Sequence, residues 1–170
     1  EHHNVRDFGA EGDGVHDDTE AFLKAVAAAE EDGLPVYVPA GTYSISDTVE
    51  LNEVTLYGYH SGPWTADACD LPGIIQTNPE APVFHVISGS LSGLQIDVKG
   101  VTKDLKLDDA AETVRLSCTG ARVSNLKILN PHIGISTFYD PDTSTNPGRC
   151  FIENIFIVNP YKIGVNVHAT

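Results

Sequence analysis

The segment at 125–135, "NLKILNPHIGI", returns at 154–165 as "NIFIVNPYKIGV". Asn125 aligns with Asn154, and Asn130-Pro131 with Asn159-Pro160, at one and the same offset. An earlier copy, "GLQID", places Leu94 a similar interval before Leu126. A period of roughly 20–50 residues marks stacked units, each able to bury its apolar face only against its neighbours. Around these copies run further strand-length apolar segments, among them "VYVPAGTYSIS", "EVTLYGY", "VFHVIS" and "TVRLSC", separated by Gly, Asn, Pro or Asp. No second long helical pattern intervenes, which excludes a β-α-β sheet. The expected fold is therefore all-β, a parallel β-helix with one turn per repeat.

Within a turn, Leu94, Ile96 and Val98 alternate with Gln95, Asp97 and Lys99, so the first set points into the solenoid and the second outward. Leu126, Ile128, Ile155 and Ile157 continue the inner stack. Lys127 and Phe156 then face out, with Leu129 and Val158 in the next outward column. Apolar outward residues call for a cover: the loop at 139–149, a partner chain, or a stacked sugar. Asn130 and Asn159, one coil apart and each followed by Pro, are expected to stack as a ladder at a corner. Cys118 and Cys150, separated by nearly one coil, fall on adjacent turns, where both a disulfide and two buried thiols fit. Cys69 has no evident mate. At about 30 residues per coil, 36–170 holds roughly four coils. The apolar alternation at 163–168 has no polar cap after it, which leads to the expectation of a piece of a longer solenoid, or of an end covered by another chain.

The opening is different in kind. "NVRDFGAEGDGVHDDTEAF" concentrates carboxylates among glycines and leads into "TEAFLKAVAAAEEDG". Ala21, Phe22, Ala25, Val26 and Ala29 recur at helical spacing. Asp17 with Glu20 matches a capping box, Gly33 a C-cap, and Pro35 prevents continuation. A helix start crowded with carboxylates repels phosphate, which argues against a nucleotide cradle. A calcium loop lacks its terminal Glu, so calcium stays unsupported and no cofactor is expected. Residues 1–35 thus read as an N-terminal segment with a capping helix, and 36–170 as the solenoid.

"NVRDFGAEGDGVHDDTEAFLKAV" followed by "GLPVYVPAGTYSIS" resembles the N-terminal signature of the pectate-lyase-like superfamily of right-handed parallel β-helices. That group includes polygalacturonases, exo-β-1,3-glucanases, lyases and phage tailspikes. The resemblance covers residues 4–46. It implies that the helix closes one end of a right-handed β-helix and that the substrate class is polysaccharide. The polygalacturonase and pectate lyase motifs are absent, so no catalytic residue is assigned.

A net charge of −14 and a pI near 4.6 set the chain against nucleic acid and anionic membranes. No apolar run reaches the roughly 20 residues of a membrane span. The three cysteines form no C-x-x-C pair, which removes a zinc reading. Loops at 59–73, 99–112 and 139–149 border the strand faces. Asp97, Lys99, Tyr139, Asp140, Asp142 and Arg149 are the candidate glycan contacts: the carboxylates and Arg149 can bond hydroxyls or a uronate, and Tyr139 can stack on a ring. Asp97 lies between Tyr57 and Leu129 in its outward column, so no carboxylate pair for glycoside hydrolysis forms there. Tyr59 and Trp64 offer a second stacking surface, and Asp104, Asp108 and Asp109 read as wet surface. His85 and His132 lack a partner in the sequence, and a catalytic base needs one at hydrogen-bond distance. The function expected is an extracellular polysaccharide hydrolase or lyase. The alternatives are a tailspike-type glycan binder, trimeric and virion-associated, or a non-catalytic scaffold or adhesin.

Overall fold

The computed structural model describes residues 1–59, 71–101, 112–117, 120–137 and 149–167. Two short strands, β1 (His3–Asn4) and β2 (Asp13–Asp17), flank a 3-10 turn at Val5–Phe8 and precede helix α1 (Thr19–Asp32). The first rung holds β3 (Val36–Val38), β4 (Thr42–Ile45) and β5 (Val49–Leu51), and the second β6 (Val54–Gly58), β7 (Gly73–Gln76) and β8 (Phe84–Val86). From β9 (Gly89–Val98) onward the first two strands of a rung run on as one. β9 pairs with β6 along its first half and with β7 along its second. β10 (Glu112–Leu116) completes the third rung; β11 (Arg122–Leu129) with β12 (Ile133–Thr137), and β13 (Phe151–Val158) with β14 (Ile163–Asn166), form the next two.

Every pairing among the described strands is parallel. Sheet one is nine-stranded and contains β1, β3, β6, β9, β7, β4, β2, β11 and β13; sheet two is five-stranded in the order β14-β12-β10-β8-β5. The inner column Val36–Leu56–Leu91–Val123–Ile152 is in register from rung to rung. The chain between successive members is unequal, shortest from Val36 to Leu56 and longest from Leu56 to Leu91. Because the first rung closes in so little chain, the described residues build five rungs where a constant period gives about four. Leu94, Ile96, Leu126 and Ile128 are fully buried as expected, and Ile155 and Ile157 pack partly buried against them.

Two turns fix the shape of a rung. At the bend inside the long strands, Gly93 has φ 71° and lies against Gly58, where a Cβ on Gly93 would stand 2.4 Å from the Gly58 carbonyl oxygen. The later rungs place Asn125 (φ 54°) and Asn154 (φ 50°) at this bend, since Asn tolerates the left-handed region better than other side chains. Asn154 Nδ2 donates to Asn125 Oδ1 at 2.6 Å. The expected ladder at the following corner is also present: Asn130 and Asn159 have φ 54° and 52°, and Asn159 Nδ2 donates to Asn130 Oδ1 at 3.5 Å.

Helix α1 lays Phe22, Ala25, Val26 and Ala29 on the first rung, with Phe22 edge-on to the buried Tyr43 at 5.5 Å. Gly33 caps it in the left-handed conformation, its N–H donating to Ala29 O at 2.9 Å. The expected capping box is not formed. Asp18, not Asp17, stands at the N-cap, and its carboxylate turns backward to accept from Glu11 N (2.7 Å) and Gly12 N (3.2 Å). Asp17 ends β2 and accepts from Thr19 and from Ser46 on the first rung. Glu20 pairs along the helix with Lys24 at 2.7 Å. The carboxylate of Asp18 is thus tied to the loop before β2, while that of Asp17 takes the N–H of Thr19, the first helical residue, and joins it to Ser46. No helix among the described residues is long and apolar enough to cross a membrane.

Candidate functional site

Strand alternation puts an outward column along sheet two. In register across its strands stand Glu50 (β5), His85 (β8), Arg115 (β10), Ser136 (β12) and Asn166 (β14), each about 4.8 Å from the next. Carboxylate, imidazole and guanidinium therefore sit side by side on one face. His85 Nδ1 lies 3.1 Å from Glu50 Oε1, and His85 Nε2 lies 2.5 Å from Ser117 Oγ. Arg115 is held by Glu112 through Nε. Buried polar residues gather in the same place: Glu112, Thr113 and Ser117 on and after β10, and His132, Ser136 and Thr137 on and before β12.

Glu50 also opens onto a cleft of about 420 Å³ between α1 and β5, lined by Leu23, Val26, Ala27, Glu30, Thr48 and Glu50. At the opposite end of the face, His132 is 1% exposed and neither ring nitrogen has a hydrogen-bond partner. Burial, reinforced by the Lys162 charge, holds its imidazole below the usual histidine range.

The expected glycan contacts are placed differently. Asp97 and Lys99 form an ion pair with each other on sheet one, and Asn130 Nδ2 donates to Asp97 Oδ1 at 3.2 Å. The ladder neighbours of Asp97 are Ile75 and Leu129. Tyr57 instead pairs with Ser92, because β6 and β7 are separate strands and the column beside Asp97 comes from β7. Lys127 does occupy the outward position between Gln95 and Phe156, yet is only 7% exposed. Arg149 is an exposed turn residue whose carbonyl accepts from Gly120 N at 3.0 Å. Tyr139, Asp140, Asp142, Trp64, Asp104, Asp108, Asp109, Cys69 and Cys118 lie outside the described residues. Tyr59 is exposed, and the rings of Tyr37 and Tyr57 meet at 5.3 Å on the outer face of sheet one.

Sequence reasoning passed over Glu50, Arg115 and Ser117 and left His85 without a partner. The available signal was positional: "VEL" and "VFHV" are matched rungs, but the offset from Glu50 to His85 exceeds that of the clearest repeat, from Asn125 to Asn154. One further group could ligate a cation, the exposed trio Glu11, Asp13 and His16. Its imidazole already meets Asp13 at 2.7 Å and Glu11 at 3.0 Å through Nδ1. Hydrogen bonds from the backbone of His16 and Val15 and from the His16 ring lower the Asp13 carboxyl to about 2. The bond to Asp13, with the Asp13 and Glu11 charges, raises the His16 ring above its ordinary value, so the trio behaves as an ion cluster around a proton.

A family model for rhamnogalacturonase A/epimerase, pectate lyase-like proteins matches residues 2–170. The plasmin and fibronectin-binding protein A of Streptococcus pneumoniae is 31% identical over 131 residues, which is 75% of this chain and 17% of that protein. The preneck appendage protein of Bacillus phage PZA is 47% identical over 53 residues, 31% of this chain and 6% of the phage protein. Among solved structures, the Agl-KA catalytic domain superposes with a TM-score of 0.64 at 20% identity, over 99% of this chain and 34% of that one; at this identity the likeness concerns the fold. The chain spans less than a fifth of the length of the pneumococcal and phage relatives. A parallel β-helix with one closing helix, matched along nearly all of its length, gives the assignment: the chain belongs to the rhamnogalacturonase A/epimerase, pectate lyase-like family.

Proposed function

We propose that this chain is a carbohydrate-active part of an extracellular polysaccharide hydrolase or lyase. The observation that supports it most is the sheet-two column, where Glu50, His85 and Arg115 stand in register on one face. A carboxylate or imidazole can move the proton that glycosidic or lyase cleavage requires, and a guanidinium can bind a uronate. Tyr139, Asp140 and Asp142 follow β12 closely in sequence and belong to the same reading as substrate contacts, together with Arg149. Asp97 and Lys99 make a separate contact patch on sheet one.

The test is a panel of acidic and neutral polysaccharides incubated with the chain, scored for new reducing ends and for absorbance of unsaturated products. Turnover of an acidic glycan that weakens on Glu50→Gln and Arg115→Ala is expected. Absence of both binding and turnover across the panel would refute the reading.

A second reading, a tailspike-type glycan-binding part of a virion, is favoured by the phage appendage relative. It expects binding without turnover and a trimer by light scattering. The pneumococcal relative, named for binding plasmin and fibronectin, favours a third, an adhesin, which expects protein binding and no glycan response.

A further inference from the structure

We infer that Ser117 is the nucleophile of an acyl-transfer site that hydrolyses short O-acyl esters such as acetylated sugar hydroxyls, with His85 as base and Glu50 as the carboxylate that orients it. The inference takes from the glycan reading only the nature of the alcohol that carries the ester. The order of the bonds supports it. Glu50 Oε1 meets His85 Nδ1 at 3.1 Å, which places the ring proton on Nδ1 and leaves the Nε2 lone pair toward Ser117 Oγ at 2.5 Å. A hydroxyl bonded to a base that is itself oriented by a third group is the recurring arrangement of an activated nucleophile.

The chain positions contribute a second argument. Glu50, His85 and Ser117 come from three successive rungs, so no local turn brings them together. Each is held by its sheet: Glu50 and His85 are ladder partners, and Ser117 N donates to Val86 O at 3.2 Å. Glu50 and His85 are carried on strands, which keep their geometry better than loops, and Ser117 follows directly on the end of β10. Arg115, the ladder partner of His85 on its other side, adds to the column a charge of the kind that stabilises a developing oxyanion. Ser117 is 4% exposed, so access to its hydroxyl favours a compact acyl group over a bulky one.

The reaction balances with water alone. Ser117 Oγ attacks the ester carbonyl carbon while its proton passes to His85 Nε2. The carbonyl–alkoxy bond breaks, and the departing sugar oxygen takes that proton. Water then attacks the acyl-serine, Nε2 accepts a proton from it and returns it to Oγ, and the carboxylic acid leaves.

The experiment treats the chain with a fluorophosphonate probe, locates the adduct by peptide mass spectrometry, and measures hydrolysis of nitrophenyl acetate and nitrophenyl hexanoate. Expected are one adduct on Ser117 and turnover of the acetate in preference to the hexanoate. Loss of at least about 100-fold in Ser117→Ala and His85→Ala is expected from removing members of such a relay, and a smaller loss of about tenfold in Glu50→Gln, because that carboxylate is largely exposed and water takes over part of its role. Glu50 is largely exposed, so Glu50→Gln keeps the test available if the other two variants do not fold. An unlabelled wild-type chain, an adduct elsewhere, or full turnover in Ser117→Ala overturns the inference and leaves the three residues as a staple between rungs. Because the small esters require no glycan binding, failure of the polysaccharide panel leaves this result readable.

Discussion

Removing the Asp18 carboxylate tests how the acidic opening is held. Asp18 is nearly buried and accepts two backbone hydrogen bonds, from Glu11 N at 2.7 Å and Gly12 N at 3.2 Å. A hydrogen bond to a charged acceptor contributes about 1.5–3 kcal/mol. The Glu11–Gly12 backbone is only partly covered, so water recovers some of that loss. Asp18→Ala is then expected to cost about 2–4 kcal/mol in total. Glu20 makes only an exposed pair with Lys24 at 2.7 Å, and solvent screens such a contact strongly. In urea, with a slope of roughly 2 kcal/mol per molar, the first variant lowers the unfolding midpoint by about 1–2 M, and Glu20→Ala moves it far less. Equal losses in the two variants would show that Glu20 reaches back to the helix start, and the loop-pinning account would fall.

Leu126→Ala, at a fully buried position between Leu94 and Ile155 in the inner stack, is expected to destabilise the chain by about 2–5 kcal/mol in the same urea assay. Asn125→Gly is expected to be milder than Asn125→Ala, since the φ of 54° strains alanine by roughly 1 kcal/mol or more while glycine accepts it; alanine the milder of the two would contradict the left-handed bend. The His132 ring titrates below its ordinary value of 6.5 through burial, reinforced by the Lys162 charge. The unfolded chain therefore binds its proton first as pH falls, so this contribution to stability is complete above about pH 6.5 and declines below it. Thermal melts between pH 7.5 and 5 should show that decline flattened in His132→Leu, and an unchanged slope would remove His132 from the account.

The repeat made the solenoid legible because an inward Leu or Ile every second residue has one geometric solution once copies stack. Leu94 over Leu126, and Asn130 beneath Asn159, could be placed from spacing alone. The site could not. The offsets that bring Glu50, His85 and Ser117 together depend on how much chain each connection inserts rather than on any local preference. The same cause puts Ile75 rather than Tyr57 beside Asp97: the connection after β6 splits one strand into β6 and β7 and hands the column to the latter. The capping box missed by one residue, because Asp17 is shared between Thr19 at the helix start and Ser46 on the first rung, and the latter is a tertiary partner invisible to a four-residue pattern.

The unequal rung lengths bear on how such a protein changes over generations. Inner register is kept from rung to rung although the chain between equivalent positions is far shorter from Val36 to Leu56 than from Leu56 to Leu91. Lengthening a surface connection is thermodynamically mild, about 0.6 kcal/mol for each doubling, whereas one residue gained inside β11 would turn Leu126 and Ile128 to solvent. Insertions and deletions are therefore filtered by position: the strands accept substitution but not changes in length, and the connections accept both. Diversity in what the surface recognises can accumulate at the rim of each rung without the barrel beneath having to be rebuilt.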